Sequence, residues 1–418
     1  MRRLVLIAIL LLAALSGGQQ AHATPGVKYG IQDDNYILNG PGKLGQRLDT
    51  IDRLGVDIVR FTLEWNKIER AQGKFNWGRS DQVLRGLQTR GIQPVVTLVG
   101  TPGWANGGRA ARFAPPSGKA FAAFASEAAK RYPFVRYWLI WNEPNMRRWL
   151  EPTVPGTYVR RLLNPGYKAI HEANRRALVG GGVTGPRGNA GGVSPLDWLR
   201  GMRKAGARLD AYAHHPHPGS PFESPTEGGC FGAECKTITL ANLRLLVQAV
   251  RNAWGGGKRI WLTEWGYQTK PPDNFLGVSP RLQAQYIGEA ARLVYRTRQV
   301  DMLIQFLYQD EPQMDRFQSG LLTWRGRPKP GLYAFQFPLA ATADGTVARL
   351  WGQIRPRSGR QPYRLQRVFK GNRKVWLTPV RQTDRRGTFA TSVRVPIGAI
   401  VRVWSVRDRR YGAPLTVE

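Results

Sequence analysis

Apolar residues in the first three quarters of the chain arrive in short unbroken runs. These are Val27–Gly30, Asp57–Leu63, Gln93–Val99, Val135–Trp141, Ala177–Val183, Leu209–His215, Arg259–Thr263 and Met302–Leu307. Each run is continuous rather than alternating, as expected for a strand buried on both faces. Between them lie stretches such as KLGQRLDTIDRLG, KAFAAFASEAAKRY and SPRLQAQYIGEAARLVYR, whose apolar positions recur at helical spacing. Eight strand–helix units over roughly 310 residues predict an α/β fold, a (β/α)8 TIM barrel spanning Thr24 to Leu339. A doubly wound open sheet is the competing arrangement, but no glycine-rich dinucleotide fingerprint follows the first run.

The texture changes after RPKPGLYAFQFPL. From Ala340 to Glu418 the chain reads as short alternating strands, among them VARLWGQIRP, YRLQRVFK, TFATSVRVP and IVRVWSVRD. Turn residues such as Gly371-Asn372 and Asp384 to Gly387 punctuate them. A small all-β sandwich is expected there. Trp351, Trp376 and Trp404 fall one to a strand, which reads as core filler more than as a binding platform.

Composition adds three points. Residues 1–23 carry Arg2 and Arg3, an apolar run from Leu4 to Leu15 and then Ala-His-Ala, the pattern of a signal peptide. A retained N-terminal anchor is the alternative; no other segment could cross a bilayer, so a secreted chain is expected. The two cysteines, Cys230 and Cys235, share one Gly-rich loop and predict a local disulfide rather than a zinc site. The net charge of +34 favours anionic neighbours. Nucleic acid, an anionic cell-wall polymer or an acidic polysaccharide would suit such a field. The basic residues are scattered and no nucleic-acid motif accompanies them, so retention near anionic polymers is expected, through arginines such as Arg355, Arg357, Arg364 and Arg367.

In such a barrel, chemistry sits at the C-terminal ends of the strands. Strand two ends with Arg60 and Trp65, and strand three leads to Trp104. Strand four delivers Asn142 and Glu143, and strand six His214, His215 and His217. Strand seven gives Glu264, Trp265 and Tyr267, and strand eight Tyr308, Asp310 and Glu311. Carboxylates on strands four and seven face each other across a barrel mouth. A pair about 5–5.5 Å apart can divide the work of acid and nucleophile at a sugar's anomeric carbon. Tryptophan and tyrosine nearby suit the apolar faces of sugar rings. His214 reads as a packed histidine, and Asp310 and Glu311 as loop charges.

WNEPN and, two units later, LTEWGY together resemble the clan A glycoside hydrolases, which include cellulase, mannanase and β-xylosidase families. The resemblance covers the barrel and implies a retaining glycosidase acting on a poly- or oligosaccharide, with no metal or cofactor. It implies Glu143 as acid/base, Glu264 as nucleophile, Asn142 on the sugar 2-hydroxyl and Arg60 paired with the nucleophile. His215, Trp65, Trp104, Trp265, Tyr267 and Tyr308 are expected around the sugar. His217 stands where clan members often carry a tyrosine, and Tyr308-Gln309 where many carry a tryptophan. A transglycosylase would share the whole site, and a non-catalytic wall-binding protein would share the charge. A monomer is the default expectation.

Overall fold

The computed structural model describes residues 26–418 except 189, 190, 233, 314, 315, 370 and 372. The expected signal peptide at residues 1–23 lies outside them. Eight parallel strands close into a barrel in sequence order: β1 (Lys28–Gln32), β2 (Ile58–Glu64), β3 (Gln93–Val99), β4 (Tyr137–Ile140), β5 (Leu178–Thr184), β6 (Ala211–His214), β7 (Arg259–Trp265) and β8 (Val300–Phe306). β1 pairs with both β2 and β8, which closes the ring and excludes the open sheet. Among the described residues no helix is long and apolar enough to cross a membrane.

Two apolar shells explain why the strands lack alternation. One face of each strand packs outward on helices, and the other fills the lumen with Ile58, Leu139, Trp261 and Ile304 among others. The lumen is tight: Trp261 meets Tyr137 edge-on at 5.5 Å. β5, LVGGGVT, makes room for that indole. A Cβ at Gly180 would lie 2.8 Å from the Trp261 ring and 2.7 Å from Leu139.

The C-terminal region is all antiparallel. One sheet has the order β14 (Thr388–Arg394), β10 (Val347–Gln353), β9 (Leu339–Asp344). The other runs β12 (Lys374–Trp376), β11 (Pro362–Val368), β15 (Ile400–Ser405), β16 (Arg410–Tyr411), with β13 (Arg381–Gln382) on β11 and β17 (Leu415–Thr416) on β15. Leu350 and Phe389 from the first sheet meet Tyr363, Leu365, Val401 and Val403 from the second in one core. Tyr363 stacks on Phe389 at 4.1 Å.

The three tryptophans do not fill that core, contrary to expectation. Trp351 turns toward the barrel and packs on Tyr295 at 5.2 Å. Trp376 is 38% exposed, with Arg364 over its ring at 4.0 Å. Trp404 lies on the outer face of β15 beside Tyr411, because Val401 and Val403 take the inner positions of the alternation. Arg355 is not a surface charge either. It is buried against the barrel, its guanidinium 3.9 Å from the Tyr29 ring and 4.7 Å from Phe335.

Candidate active site

The site is organised around Arg60, which stands on β2 and is 1% exposed. A buried guanidinium must have its donors satisfied, and each of its three nitrogens finds an acceptor. Nε donates to Thr97 Oγ1 at 2.8 Å. Nη1 reaches Gln32 Oε1 at 2.7 Å and Glu264 Oε1 at 2.5 Å. Nη2 donates to Asn142 Oδ1 at 2.7 Å. That last bond fixes the amide: with Oδ1 on Arg60, the Asn142 NH2 is free to donate elsewhere.

Strand β4 runs into Trp141, Asn142 and Glu143 with a distorted backbone. Trp141 has φ 73° and Glu143 φ 38°, and nearby Val183 and Leu307 have φ 45° and 71°. Non-glycine residues in this region cost about 1–3 kcal/mol each, and such strain gathers at functional sites. Here it clusters at the ends of β4, β5 and β8, around the turn that brings Glu143 into the mouth. The Glu143 amide donates to Val183 O at 2.9 Å, which ties the turn to β5. Gly185 keeps the space open: a Cβ there would sit 2.9 Å from Glu143 Oε1.

His215 bridges the two carboxylates. Its Nδ1 lies 3.1 Å from Glu143 Oε1 and 3.5 Å from Glu264 Oε2, and its Nε2 faces Arg60 Nη1 at 3.2 Å. An arginine can only donate, so Nε2 accepts and Nδ1 carries the hydrogen. The ring is therefore a neutral donor to Glu143. Burial also lowers its pKa, which keeps it uncharged. His217 Nε2 approaches Glu264 Oε2 at 3.5 Å, in the position where the resemblance implies a tyrosine.

Opposing influences act on both carboxyls. Burial raises Glu264, but His215, Arg60 and a hydrogen bond from His217 outweigh it and hold this group far below the ordinary carboxylate range. Burial likewise raises Glu143, and the charge of Glu264 adds to that. The hydrogen bond from His215 and the nearby Arg148, 3.1 Å from Glu143 Oε2, carry it below its usual value.

A cavity of about 540 Å³ opens over the pair. Asn142, Glu143, His217 and Glu264 line it, as expected, with His215 and Arg60 directly behind. It also brings in residues absent from the sequence reading: Gln32, Asp34, Arg148, Trp149, Arg187 and Phe306. Asp34 is held up to about 6 by burial, opposed by a hydrogen bond from Thr62, and its Oδ1 has no protein partner. Gln32 closes β1, and Asp34 opens the short helix Asp34–Asn39 that follows it, so the chain reversal after the strand brings both to the cavity.

The aromatic expectations are corrected. Side chains alternate along a strand, so once Glu64 and Glu264 line the cavity, Trp65 and Trp265 point outward. Trp65 is fully buried, stacked on Phe124 at 5.6 Å, with Nε1 donating to Glu69 Oε2 at 2.6 Å. Trp265 is 2% exposed and packs on Tyr267 at 5.7 Å. The Tyr267 hydroxyl donates to Glu223 O at 2.5 Å and ties the loop after β6 to β7. Trp104 braces the strand-two loop by donating to Glu69 O at 2.8 Å. Tyr308 leaves the mouth and packs on Tyr36 at 4.6 Å, and Phe306 faces the cavity instead. His214 is buried, bonded to Thr184 and Ile238, as a packed histidine should be. Asp310 is not a free loop charge, since it pairs with buried Lys329 at 2.7 Å. Cys230 and Cys235 are bridged, with Asn242 donating to Cys230 O at 2.8 Å.

Glu143, His215 and Glu264 bring one ligand atom each within 4.8 Å of one another, a set that could hold a cation. Arg60 already places a fixed positive charge against two of them, which disfavours a second one. No protein-family model matches the chain, and no curated protein does. Solved structures do. A family 39 glycoside hydrolase from the gut symbiont Bacteroides cellulosilyticus WH2 superimposes with TM-score 0.62 at 16% identity, over 90% of this chain and 80% of that one. A glucosidase from Croceicoccus marinus gives 0.60 at 12% identity, over 92% and 97%. GH5_18 from Streptomyces cattleya in complex with GlcNAc gives 0.56 at 15%, over 75% and 79%. What these share with the chain is the fold, a barrel of this kind.

Proposed function

We propose that the chain is an exported glycoside hydrolase that cleaves O-glycosidic bonds of a poly- or oligosaccharide with retention of configuration. The observation that carries this reading is the separation of the two carboxyls, which approach within 4.8 Å. An inverting enzyme needs about 6.5–9.5 Å to seat a water between them, whereas a retaining one needs about 5–5.5 Å. Glu264, kept ionised by Arg60 and the two histidines, attacks the anomeric carbon. Glu143, held below the ordinary carboxylate range, is protonated only on the acid side; there it gives its proton to the departing oxygen, then takes one from the water that cleaves the glycosyl ester. The free amide of Asn142 donates to the sugar 2-hydroxyl. The known proteins of similar fold are named as glycosidases, which supports the reaction class. The leader-like residues 1–23 and the disulfide support export.

The test is a pair of variants on a panel of aryl glycosides and glycans. Glu264→Ala should lose turnover by about 10⁴-fold or more, as loss of an attacking group does. Azide should then restore a product of inverted configuration. Glu143→Ala should keep far more activity on activated aryl glycosides than on natural linkages. Wild-type turnover in both variants would overturn the assignment.

A further inference from the structure

A groove of about 950 Å³ runs between the flank of the barrel and the hairpin joining β15 to β16, and it shares no lining residue with the catalytic cavity. Arg53, Arg402, Arg409 and Arg410 face it, and no carboxylate lines it. Among the described residues none of these four arginines is in an ion pair. Asp408, which directly precedes Arg409, is already engaged: it accepts from Arg357 Nε at 2.8 Å and from Ser405 Oγ at 2.6 Å.

Two further features shape the groove. Arg409 is held at φ 51°, in the left-handed region that glycine adopts without strain. Its walls are aromatic. Trp404 and Tyr411 lie 4.4 Å apart with Arg402 over the Tyr411 ring at 3.5 Å, and Tyr333 is 39% exposed on the barrel side.

We propose that this groove is a second carbohydrate site that takes a segment of an acidic glycan, one bearing carboxylates as uronic acids do. Guanidinium forks bind carboxylates in a bidentate way, and exposed aromatic faces receive the apolar faces of sugar rings. Holding a polymer here raises its effective concentration at the catalytic mouth. The choice of a glycan rests on the glycosidase reading. A single-stranded nucleic acid offers similar charge and planar bases, and it is therefore an arm of the test.

Binding is read without turnover, in the full chain carrying Glu264→Gln, so that failure of hydrolysis and failure of this site are distinguishable. Oligogalacturonate, a neutral cello-oligosaccharide and a single-stranded oligonucleotide are titrated calorimetrically at one fixed salt concentration. Oligogalacturonate should bind at least about tenfold more tightly than either of the others. Arg409→Gly with Arg410→Ser should weaken it by about tenfold or more, and the glycine relieves the strained backbone. Arg349→Ser with Arg394→Ser removes the same charge from exposed positions on β10 and β14, and should change binding by about twofold or less. Tyr333→Ala, which alters no charge, should weaken binding too, and it decides the matter if the arginine pair melts early. Equal losses in the two arginine pairs, no binding of oligogalacturonate, or tighter binding of the oligonucleotide would each overturn the proposal.

Discussion

Two of the buried arginines, Arg60 and Arg355, lie at opposite ends of the barrel, and their surroundings differ. Arg60, under the mouth, is wrapped in acceptors: Gln32, Thr97, Asn142 and the carboxylate of Glu264. Arg355, between the barrel and the β region, lies on the faces of Tyr29 and Phe335, with Gln353 as its side-chain acceptor at 3.1 Å. Burial lowers Arg355 to about 10, which leaves it charged at neutral pH. The first arrangement fixes the orientation of three groups that face a cavity. The second covers apolar surface with the flat side of a cation and joins two parts of the chain. A buried arginine thus serves chemistry or cohesion according to whether its donors end on groups that meet a ligand.

That contrast can be broken most sharply at Arg60. Arg60→Lys keeps the charge but loses the planar fork, so one ammonium cannot hold Glu264, Asn142 and Thr97 together. Steady-state kinetics should show kcat/KM falling by about a hundredfold to a thousandfold, the scale of losing a preorganised electrostatic contact. Arg355→Ala should do the reverse. Chemical denaturation should show a loss of about 2 kcal/mol from lost packing and cation–π contact, with kcat unchanged within about twofold. If Arg355→Ala inactivates a still-folded protein, the division between chemistry and cohesion fails.

A subtler effect concerns pH. Glu143 must be protonated to act as acid, so kcat/KM falls as pH rises through its pKa. His215 is the leading influence holding that pKa down. Replacing it, as in His215→Ala, leaves burial and the charge of Glu264 pushing upward. The descending alkaline limb of the pH–rate profile should therefore move to higher pH, while overall activity drops. A limb that stays or moves lower would contradict the hydrogen bond's role. The smallest expected effect is at Trp65: because its ring is packed on Phe124 outside the cavity, Trp65→Phe should leave KM within about twofold while lowering the melting temperature.

Much of the barrel was legible because two-sided burial leaves an unmistakable signature. The run Gln93–Val99 coincides with β3, and the other seven strands lie within two residues at most ends. Glu143 and Glu264 were legible for a related reason, since a carboxylate ending an apolar strand has nowhere to go but the mouth. The tryptophans were not. Trp65 and Trp265 directly follow cavity-facing glutamates, and the period of two sends them outward, but sequence shows only an aromatic beside an acid. Asp34, Arg148 and Arg187 reach the cavity through loop and strand-end geometry that no local pattern encodes. Trp404 misled because a tryptophan fits either face of a thin sandwich, and Val401 and Val403 decided which; Trp376 misled because β12 is an edge strand with all three of its residues exposed.

The most direct test is to trap the intermediate. The full chain is incubated with 2-deoxy-2-fluoroglycosides of several sugars bearing good leaving groups, then digested and mapped by mass spectrometry. One of these sugars should inactivate the protein with a single adduct on the peptide that contains Glu264, and Glu264→Gln should acquire none. An active glycosidase that is never trapped by the sugar it hydrolyses, or one labelled at a residue other than Glu264, would contradict the double displacement at its centre.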